Sequence, residues 1–258
     1  MGEFILQTST GLHETDTNFN FLLAPNLDLY AIKKNNSDTR STEVAVLSAS
    51  SNYQRFTLQT GTPLHETDNS FEFLLAPNLD IFAVKKNNTD TQSTEVAILS
   101  ASSNYQSFIL QTGTALHETG SNFQFTLASN RDLVSIKKSL TDTRSTEVAI
   151  LSASSNYQAF SLQTGTALHE TGDNFEFAFA QNNDLFAIKK NCTDTRSTEV
   201  SVLTAATNYQ QFGMQIGTPL HETDHTFSFT ITPDRNLFSV KKRYTGTCST
   251  EVHVLTLP

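Results

Sequence analysis

The chain has no tryptophan, only two cysteines and few basic residues. Lys and Arg together number 17 against 26 for Asp and Glu, which gives a formal net charge of -9. Proteins that bind phosphate backbones present clustered basic residues, so this balance argues against nucleic acid and anionic membranes as partners. Cys192 and Cys248 lack counterparts in the rest of the chain, which argues against a disulfide framework and a cysteine metal site.

Long apolar runs are also missing. No segment reaches membrane-spanning length, and the N-terminal residues lack the basic and apolar regions of a signal peptide. We therefore expect a soluble protein without membrane insertion, cytoplasmic or released without a signal peptide. Helical periodicity is absent as well, which favours an all-β class.

One segment recurs five times at a fixed spacing. Its copy at residues 58–67 reads LQTGTPLHET. A fixed period of about 20 to 50 residues, or slightly more, is typical of solenoids, propellers and arrays. Because the copies fill the chain, we predict a single domain over residues 1–258. The histidines that mark the copies lie 52 residues apart, without insertion or deletion: His13, His65, His117, His169 and His221.

Each copy contains four segments with the pattern of β-strands, which the second copy illustrates. Residues 71–76 carry phenylalanine at alternate positions, and residues 81–86 are apolar on both faces until two lysines. Residues 94–99 are rich in β-branched side chains, and residues 108–112 follow a polar turn. Four antiparallel strands per copy predict one propeller blade, and five copies predict five blades. Strands one and four supply predicted core residues: Phe19, Phe21, Phe56, Leu58 and their equivalents.

The two ends of the chain carry complementary strands. Residues 4–8 match a fourth strand with no blade before it, and residues 250–255 match a third strand with no fourth strand after it. We expect these segments to pair, because pairing closes the ring and covers two exposed strand edges. The predicted fold is an all-β, five-bladed β-propeller of four-stranded antiparallel blades, closed by pairing the N-terminal strand with the last blade.

The segment from Phe19 to Ile32, FNFLLAPNLDLYAI, resembles the repeat of tachylectin-2-like propeller lectins. In that repeat a Phe-x-Phe strand precedes a short turn and a Leu-Tyr-x-Val strand. The likeness covers about the first half of each copy and implies a five-bladed lectin that binds N-acetylated sugars in repeated pockets. The family carries tryptophan in the second half of its repeats, and this chain has none, so the resemblance assigns no individual site residue.

Strand direction selects the candidate ligand-binding residues. The loops after strands two and four share one face, which is richer in hydrogen-bonding groups than the other, and sugar recognition needs several such groups. In the first copy this face collects His13, Glu14, Thr15, Lys33, Lys34, Ser41, Thr42 and Glu43. The predicted sugar ligands are the His-Glu pair and the second lysine of each copy: His13, Glu14, Lys34, His65, Glu66, Lys86, His117, Glu118, Lys138, His169, Glu170, Lys190, His221, Glu222 and Lys242.

Two alternatives to this site stay open. The same residues could be structural, because a Glu-Thr pair can cap a turn and a Lys-Glu pair can tie adjacent blades. The segment Asn52-Tyr53-Gln54 and its copies form a second candidate site, since tyrosine offers a stacking face and a hydroxyl. An aromatic anchor for strand four is the structural interpretation of that tyrosine.

These features predict a multivalent carbohydrate-binding lectin with up to five equivalent pockets, a monomer or weak homo-oligomer whose partners are glycans or glycoconjugates. Every charged candidate occurs five times, whereas glycosidases need an asymmetric set, so we predict no enzyme and no cofactor. A protein-interaction scaffold is the alternative function, and a glycosidase-type propeller is a weaker one. The unrepeated His225 and His253 are interpreted as surface variation. No metal site is predicted, although calcium at four acidic turns stays open: Asp28, Asp80, Asp132 and Asp184.

Overall fold

The computed structural model describes residues 2–257 of the chain. These residues form twenty β-strands in five four-stranded sheets, together with four single 3₁₀ turns. The chain is therefore a five-bladed β-propeller, as its repeat predicts, and each sheet is one blade. Within residues 2–257, no helix has the length and apolar character needed to cross a membrane.

The strands recur with nearly constant bounds, numbered here in chain order. The first strands are β2 (Phe19–Leu23), β6 (Phe71–Leu75), β10 (Phe123–Leu127), β14 (Phe175–Phe179) and β18 (Phe227–Ile231). The second strands are β3 (Leu29–Lys33), β7 (Ile81–Lys85), β11 (Leu133–Lys137), β15 (Leu185–Lys189) and β19 (Leu237–Lys241). The third strands are β4 (Ser41–Leu47), β8 (Ser93–Leu99), β12 (Ser145–Leu151), β16 (Ser197–Leu203) and β20 (Ser249–Leu255). The fourth strands are β1 (Phe4–His13), β5 (Phe56–His65), β9 (Phe108–His117), β13 (Phe160–His169) and β17 (Phe212–His221). The 3₁₀ turns span Ala49–Ser51, Ala101–Ser103, Ala153–Ser155 and Ala205–Thr207.

Sheet order confirms the predicted closure. Four blades take consecutive strands, in the orders β2-β3-β4-β5, β6-β7-β8-β9, β10-β11-β12-β13 and β14-β15-β16-β17. The fifth blade has the order β1-β20-β19-β18, so the N-terminal strand completes the blade begun by the last three strands. The hydroxyls of Thr10 and Thr250 meet at 2.6 Å in this blade.

The chain divides into two compact units. The first unit contains residues 8–120 and 240–252 and includes the blades β2–β5 and β6–β9. The second unit contains residues 2–7, 121–239 and 253–257 and includes the blades β10–β13 and β14–β17. First strands of successive blades contact each other inside a unit, as β2 contacts β6 and β14 contacts both β10 and β18.

Burial follows the position of each strand in its blade. The second strand lies between two others and is packed on both faces, so Leu29, Tyr30, Ala31 and Ile32 are all buried. The third strand alternates buried and half-buried positions, which is the period-two pattern of a strand with unequal faces. The hydrophobic pattern of each strand therefore follows how deeply that strand is buried in its blade.

The fourth strand is longer than its sequence predicts. The apolar pattern indicates residues 108–112, whereas β9 continues to His117. The register shifts between the pair Glu95 with Gly113 and the pair Ser93 with His117, so a bulge interrupts the alternation. The motif that the sequence assigns to a connection is therefore the last half of a strand.

Opposite faces of successive blades form the core. In the first unit, Ile32 and Val46 of one blade share a cluster with Phe73, Ile81 and Leu99 of the next blade. The second phenylalanine of the first strand is a core residue, since Phe73 is 1% exposed. Phe125, Phe177 and Phe229 are buried as well, which confirms the prediction in four copies, whereas Phe21 is half-buried.

The predicted core assignment is wrong at the start of the fourth strand. Phe4 and Phe212 are each 37% exposed, and Phe56 is half-buried. Their strand lies at the edge of the blade, where no further strand covers it. Period-two alternation identifies the strand but does not show that one of its faces reaches solvent.

Candidate functional site

The glutamate of each His-Glu-Thr segment ties a loop of its own blade. Glu66 Oε1 accepts hydrogen bonds from Ser37 N at 2.6 Å and Ser37 Oγ at 3.0 Å, in the loop between β3 and β4. Thr67 N then donates to Lys34 O at 2.7 Å as the chain crosses to the next first strand. The other four glutamates make the same pair of bonds: Glu14 with Thr245, Glu118 with Thr89, Glu170 with Thr141 and Glu222 with Thr193.

These bonds favour the charged carboxylate. The backbone N–H and the hydroxyl of Ser37 hold the pKa of Glu66 below its ordinary value, and nearby Lys33 and Arg40 act in the same direction. The glutamates of the other copies have lowered pKa values for the same reason. The structural interpretation therefore accounts for the glutamate without a ligand.

The second lysine lies away from the His-Glu pair of its blade. Lys34 N donates to the carbonyl of Asn18, which precedes the first strand, whereas His65 lies in the fourth strand and is exposed. The third strand separates them in the sheet order. The predicted trio is thus spread over one end of the blade, and the other copies repeat this placement.

The Asn-Tyr-Gln segment is an anchor in the described blades. The repeated tyrosines Tyr53, Tyr105, Tyr157 and Tyr209 are at most 3% exposed. Burial raises the pKa of Tyr53 to about 12, and Tyr157 and Tyr209 behave alike. In the first unit, Tyr105 Oη donates to Leu79 O at 3.1 Å, and Gln106 Nε2 donates to Gly61 O at 2.5 Å. These bonds account for the recurrence of the segment, and the burial of the tyrosines leaves their ring faces inaccessible to a sugar.

The acidic turns hold the 3₁₀ segments. Asp80 Oδ1 accepts the N–H of Ala101 at 2.9 Å, while Asn78 Nδ2 donates to Asp80 Oδ2 at 2.6 Å. Equivalent bonds join Asp28 to Ala49, Asp132 to Ala153 and Asp184 to Ala205. Over residues 2–257, no group of three or more His, Cys, Asp or Glu side chains has the geometry of a metal site. Cys192 and Cys248 are exposed and unpaired with each other.

A groove of about 460 Å³ lies on one face of the first blade. Two cross-strand rows form its floor, because residues opposite each other in antiparallel strands share a face. One row joins Phe19, Lys33, Glu43 and Gly61, and the other joins Ala31, Ala45 and Gln59. The lining comprises Leu12, Phe19, Ala31, Lys33, Thr39, Glu43, Val44, Ala45, Gln59, Thr60 and Gly61.

The space in this groove exists because three of the residues around it are small. Ala31 and Ala45 are cross-strand partners at its centre, and Gly61 lies beside them on the fourth strand. A Cβ atom on Gly61 would stand 2.9 Å from Ser41 Oγ, so a side chain there would require the Ser41 hydroxyl to move. The groove is therefore a consequence of three positions without long side chains.

Polar groups surround the apolar floor. Lys33 and Glu43 face each other across β3 and β4, and Thr39 Oγ1 donates to Glu43 Oε1 at 2.8 Å. The equivalent pair in the third blade, Lys137 Nζ and Glu147 Oε2, is 4.0 Å apart with both side chains about a quarter exposed. The pair is held in place yet reachable from solvent. Such a loose ion pair leaves hydrogen-bonding capacity for a ligand.

The same pattern recurs in the second, third and fourth blades. Phenylalanine, lysine, glutamate and glutamine keep their places, as does the threonine equivalent to Thr39. Serine replaces alanine at Ser135 and Ser201, and isoleucine replaces the equivalent of Thr60 at Ile216. The equivalent pairings are present in each of these blades. Four blades therefore share one groove chemistry.

The fifth blade departs from this pattern. Ser9 stands in place of the glycine, Ser239 in place of the first alanine and His253 in place of the second. The His253 ring packs against Phe4 and Phe227, with ring centroids 6.1 Å away in both cases. The interpretation of His253 as surface variation is wrong, because its imidazole packs against two phenylalanine rings, one of them the equivalent of Phe19. His225 is exposed, as predicted.

Sequence reasoning found part of this groove. Lys33 and Glu43 belong to the wider set of candidates in the first copy, whereas Phe19 is predicted as a core residue and Gln59 is in neither set. The missing signal was the alignment of alanines in adjacent strands with a glycine beside them, which becomes visible once the register is known.

No protein-family model matches the chain, and a search of curated proteins finds no match.

Proposed function

We propose that this chain is a multivalent lectin that binds terminal sugars, N-acetylated hexosamines first among them, in the grooves of blades one to four. The observation that carries the proposal is the repeated combination of an apolar floor with a reachable Lys-Glu pair. The resemblance of Phe19 to Ile32 to the tachylectin-2-like repeat supports the same function.

The groove suits the chemistry of a sugar ring. A pyranose has an apolar C–H face and a rim of hydroxyls that donate and accept hydrogen bonds. Phe19 offers an aromatic face, Glu43 accepts, Lys33 donates and the Gln59 amide does both. The alanine floor fits an acetamide methyl group, and about 460 Å³ lies within the usual range of small-ligand sites.

The number of sites per chain compensates for the weak affinity of each site. Each groove offers few polar contacts and is partly open, which predicts modest affinity for a single sugar. A surface coated with glycans can occupy several grooves of one molecule, and linked binding raises avidity by orders of magnitude. We expect four sites per chain, because His253 stands in place of a floor alanine in the fifth blade.

The experiment compares two sets of glutamates. Binding is screened on a glycan array, and N-acetylglucosamine and N-acetylgalactosamine are then titrated by calorimetry to obtain affinity and stoichiometry. The groove variant carries Glu→Gln at positions 43, 95, 147 and 199, and we expect it to lose sugar binding. The matched control carries Glu→Gln at positions 66, 118, 170 and 222, and we expect it to retain four sites.

Three results would contradict the proposal. Loss of binding in the control together with retention in the groove variant would return the site to the His-Glu segment. A stoichiometry unrelated to the number of open grooves would separate binding from this surface. Absence of binding to every glycan by the wild-type protein would favour the interaction scaffold instead.

A further inference from the structure

A pocket of about 310 Å³ opens on the fourth blade, inside the second unit. Phe186, Val202 and Met214 line it and are cross-strand partners in β15, β16 and β17. Adjacent residues of a strand point to opposite faces, so the pocket and the sugar groove lie on opposite sides of the sheet. The row equivalent to the groove floor consists of the neighbouring residues on the same strands: Ala187, Ser201 and Gln215.

The turn between β18 and β19 forms another wall of the pocket, where Arg235 is held in place. Its Nη2 lies 3.2 Å from Asp184 Oδ2, and its Cζ lies 5.3 Å from the centroid of the Phe186 ring. Both partners line the pocket as well, so the guanidinium is located at the pocket itself. A guanidinium carries several N–H donors in a planar fork, more than the pair with Asp184 uses, so donors remain for a ligand.

Asp234 brings a carboxylate to the same wall. In the first four blades an asparagine holds this position, and its side-chain oxygen accepts the N–H of the aspartate two residues later, as Asn182 Oδ1 does from Asp184 N at 3.2 Å. In the fifth blade Asn236 N donates to Thr232 Oγ1 at 3.0 Å instead. The fifth turn therefore closes without the Asp234 carboxylate, which is exposed.

Several departures from the repeat meet in this pocket. Met214 replaces a leucine, Asp234 an asparagine and Leu257 an alanine of the other copies. Gly213 leaves room in the wall, since a Cβ atom there would lie 2.9 Å from Thr204 Cγ2. Every other copy carries a side chain at the position of Gly213: Ile5, Thr57, Ile109 and Ser161.

We propose that this pocket binds a free α-amino acid with an aliphatic side chain. The ligand carboxylate pairs with Arg235 through charge-assisted hydrogen bonds, and the ligand ammonium pairs with Asp234. A carboxylate without an ammonium would be repelled by Asp184 and Asp234. The aliphatic side chain packs on Met214 and Leu257, and about 310 Å³ suits a ligand of this size.

The test titrates the full chain with L-leucine, L-isoleucine and L-valine by calorimetry. We expect saturable binding at one site per chain. The amide of the best ligand lacks its carboxylate and the N-acetyl derivative lacks its ammonium, so each should bind about tenfold more weakly. No saturable binding of any of the three amino acids, or equal affinity for both derivatives, would overturn the proposal.

Two charge variants test the role of Asp234. Asp234→Asn restores the residue of the other four copies, so we expect it to fold and to bind the amino acid about tenfold more weakly. Asp38→Asn removes a carboxylate from an exposed loop of the first unit and should leave the affinity unchanged. Equal affinity in Asp234→Asn and Asp38→Asn would contradict the pairing of the ligand ammonium with Asp234.

A double variant tests the pocket without changing its charges. Thr204→Ser combined with Gly213→Thr reproduces the pair Ser48 and Thr57 of the first copy, so we expect it to fold. It should lose amino-acid binding and keep the sugar stoichiometry of wild type, because the groove lies on the opposite face of the blade. Unchanged amino-acid affinity in this variant would overturn the proposal. Sugar titrations should be unaffected by saturating amino acid, so failure here is distinguishable from failure of the lectin function.

Discussion

Exchanging one residue between the fifth groove and the first tests the site directly. Ala45→His brings the imidazole of the closed groove into an open one, and His253→Ala removes it from the closed groove. If sugar binds on the alanine floor, the first change should lower the stoichiometry from about four sites to about three. The second change should raise it toward five, because the floor becomes alanine again.

The structure also gives the range of stability that the protein should lose when His253 is replaced by alanine. His253 contacts the rings of Phe4 and Phe227 at 6.1 Å, and each such aromatic contact contributes about 0.5 to 1.5 kcal/mol. His253→Ala should therefore reduce the free energy of unfolding by roughly 1 to 3 kcal/mol. Chemical denaturation measures this loss, and calorimetry with an N-acetylated hexosamine counts the sites. Four sites in Ala45→His, with the fold intact, would refute the placement of sugar on the floor.

Three further predictions concern the anchors of the blades. Tyr105→Phe removes a hydroxyl that donates to a backbone carbonyl at 3.1 Å, and denaturant titration should show a loss of about 1 kcal/mol. Asp80→Ala leaves the N–H of Ala101 unpaired and should cost about 2 to 3 kcal/mol in the same assay; no loss would contradict the anchoring role. The fold lowers the pKa of Glu66, so its carboxylate stabilises the protein above the ordinary glutamate pKa, and that contribution disappears as pH falls through the lowered value. Thermal unfolding midpoints measured against pH should fall less steeply in acid for Glu66→Gln, and an unchanged pH profile would show that the tie to Ser37 is not energetically important.

The fold was largely predictable because its signals are local and repeated. A constant period of 52 residues gives the number of blades, and alternation at Phe71 and Phe73 gives a strand. The length of the fourth strand was not predictable, since the bulge near Gly113 breaks the alternation that marks a strand. Bulges depend on the partner strand, which the local sequence does not specify.

The candidate site was only partly predictable for a related reason. Glu66 has an identical counterpart in every copy, but a loop tie and a ligand contact are equally compatible with that identity. The groove depends on register, because Ala31 and Ala45 form a floor only when they stand opposite each other. Register is a property of two strands together, so a pattern within one strand does not reveal it.

Because β1 pairs with β20, it stays unpaired during synthesis until β20 has been made. Thr10 and Thr250 are 240 residues apart in the chain, whereas the fourth strands of the other blades directly follow the third strands that they join. At the usual rate of synthesis, about 5 to 20 residues per second, β1 waits about 12 to 48 seconds on the ribosome for its partner. During that interval an unpaired strand edge of ten residues is available to other chains. The last blade is therefore the one that cannot be completed until synthesis has reached β20.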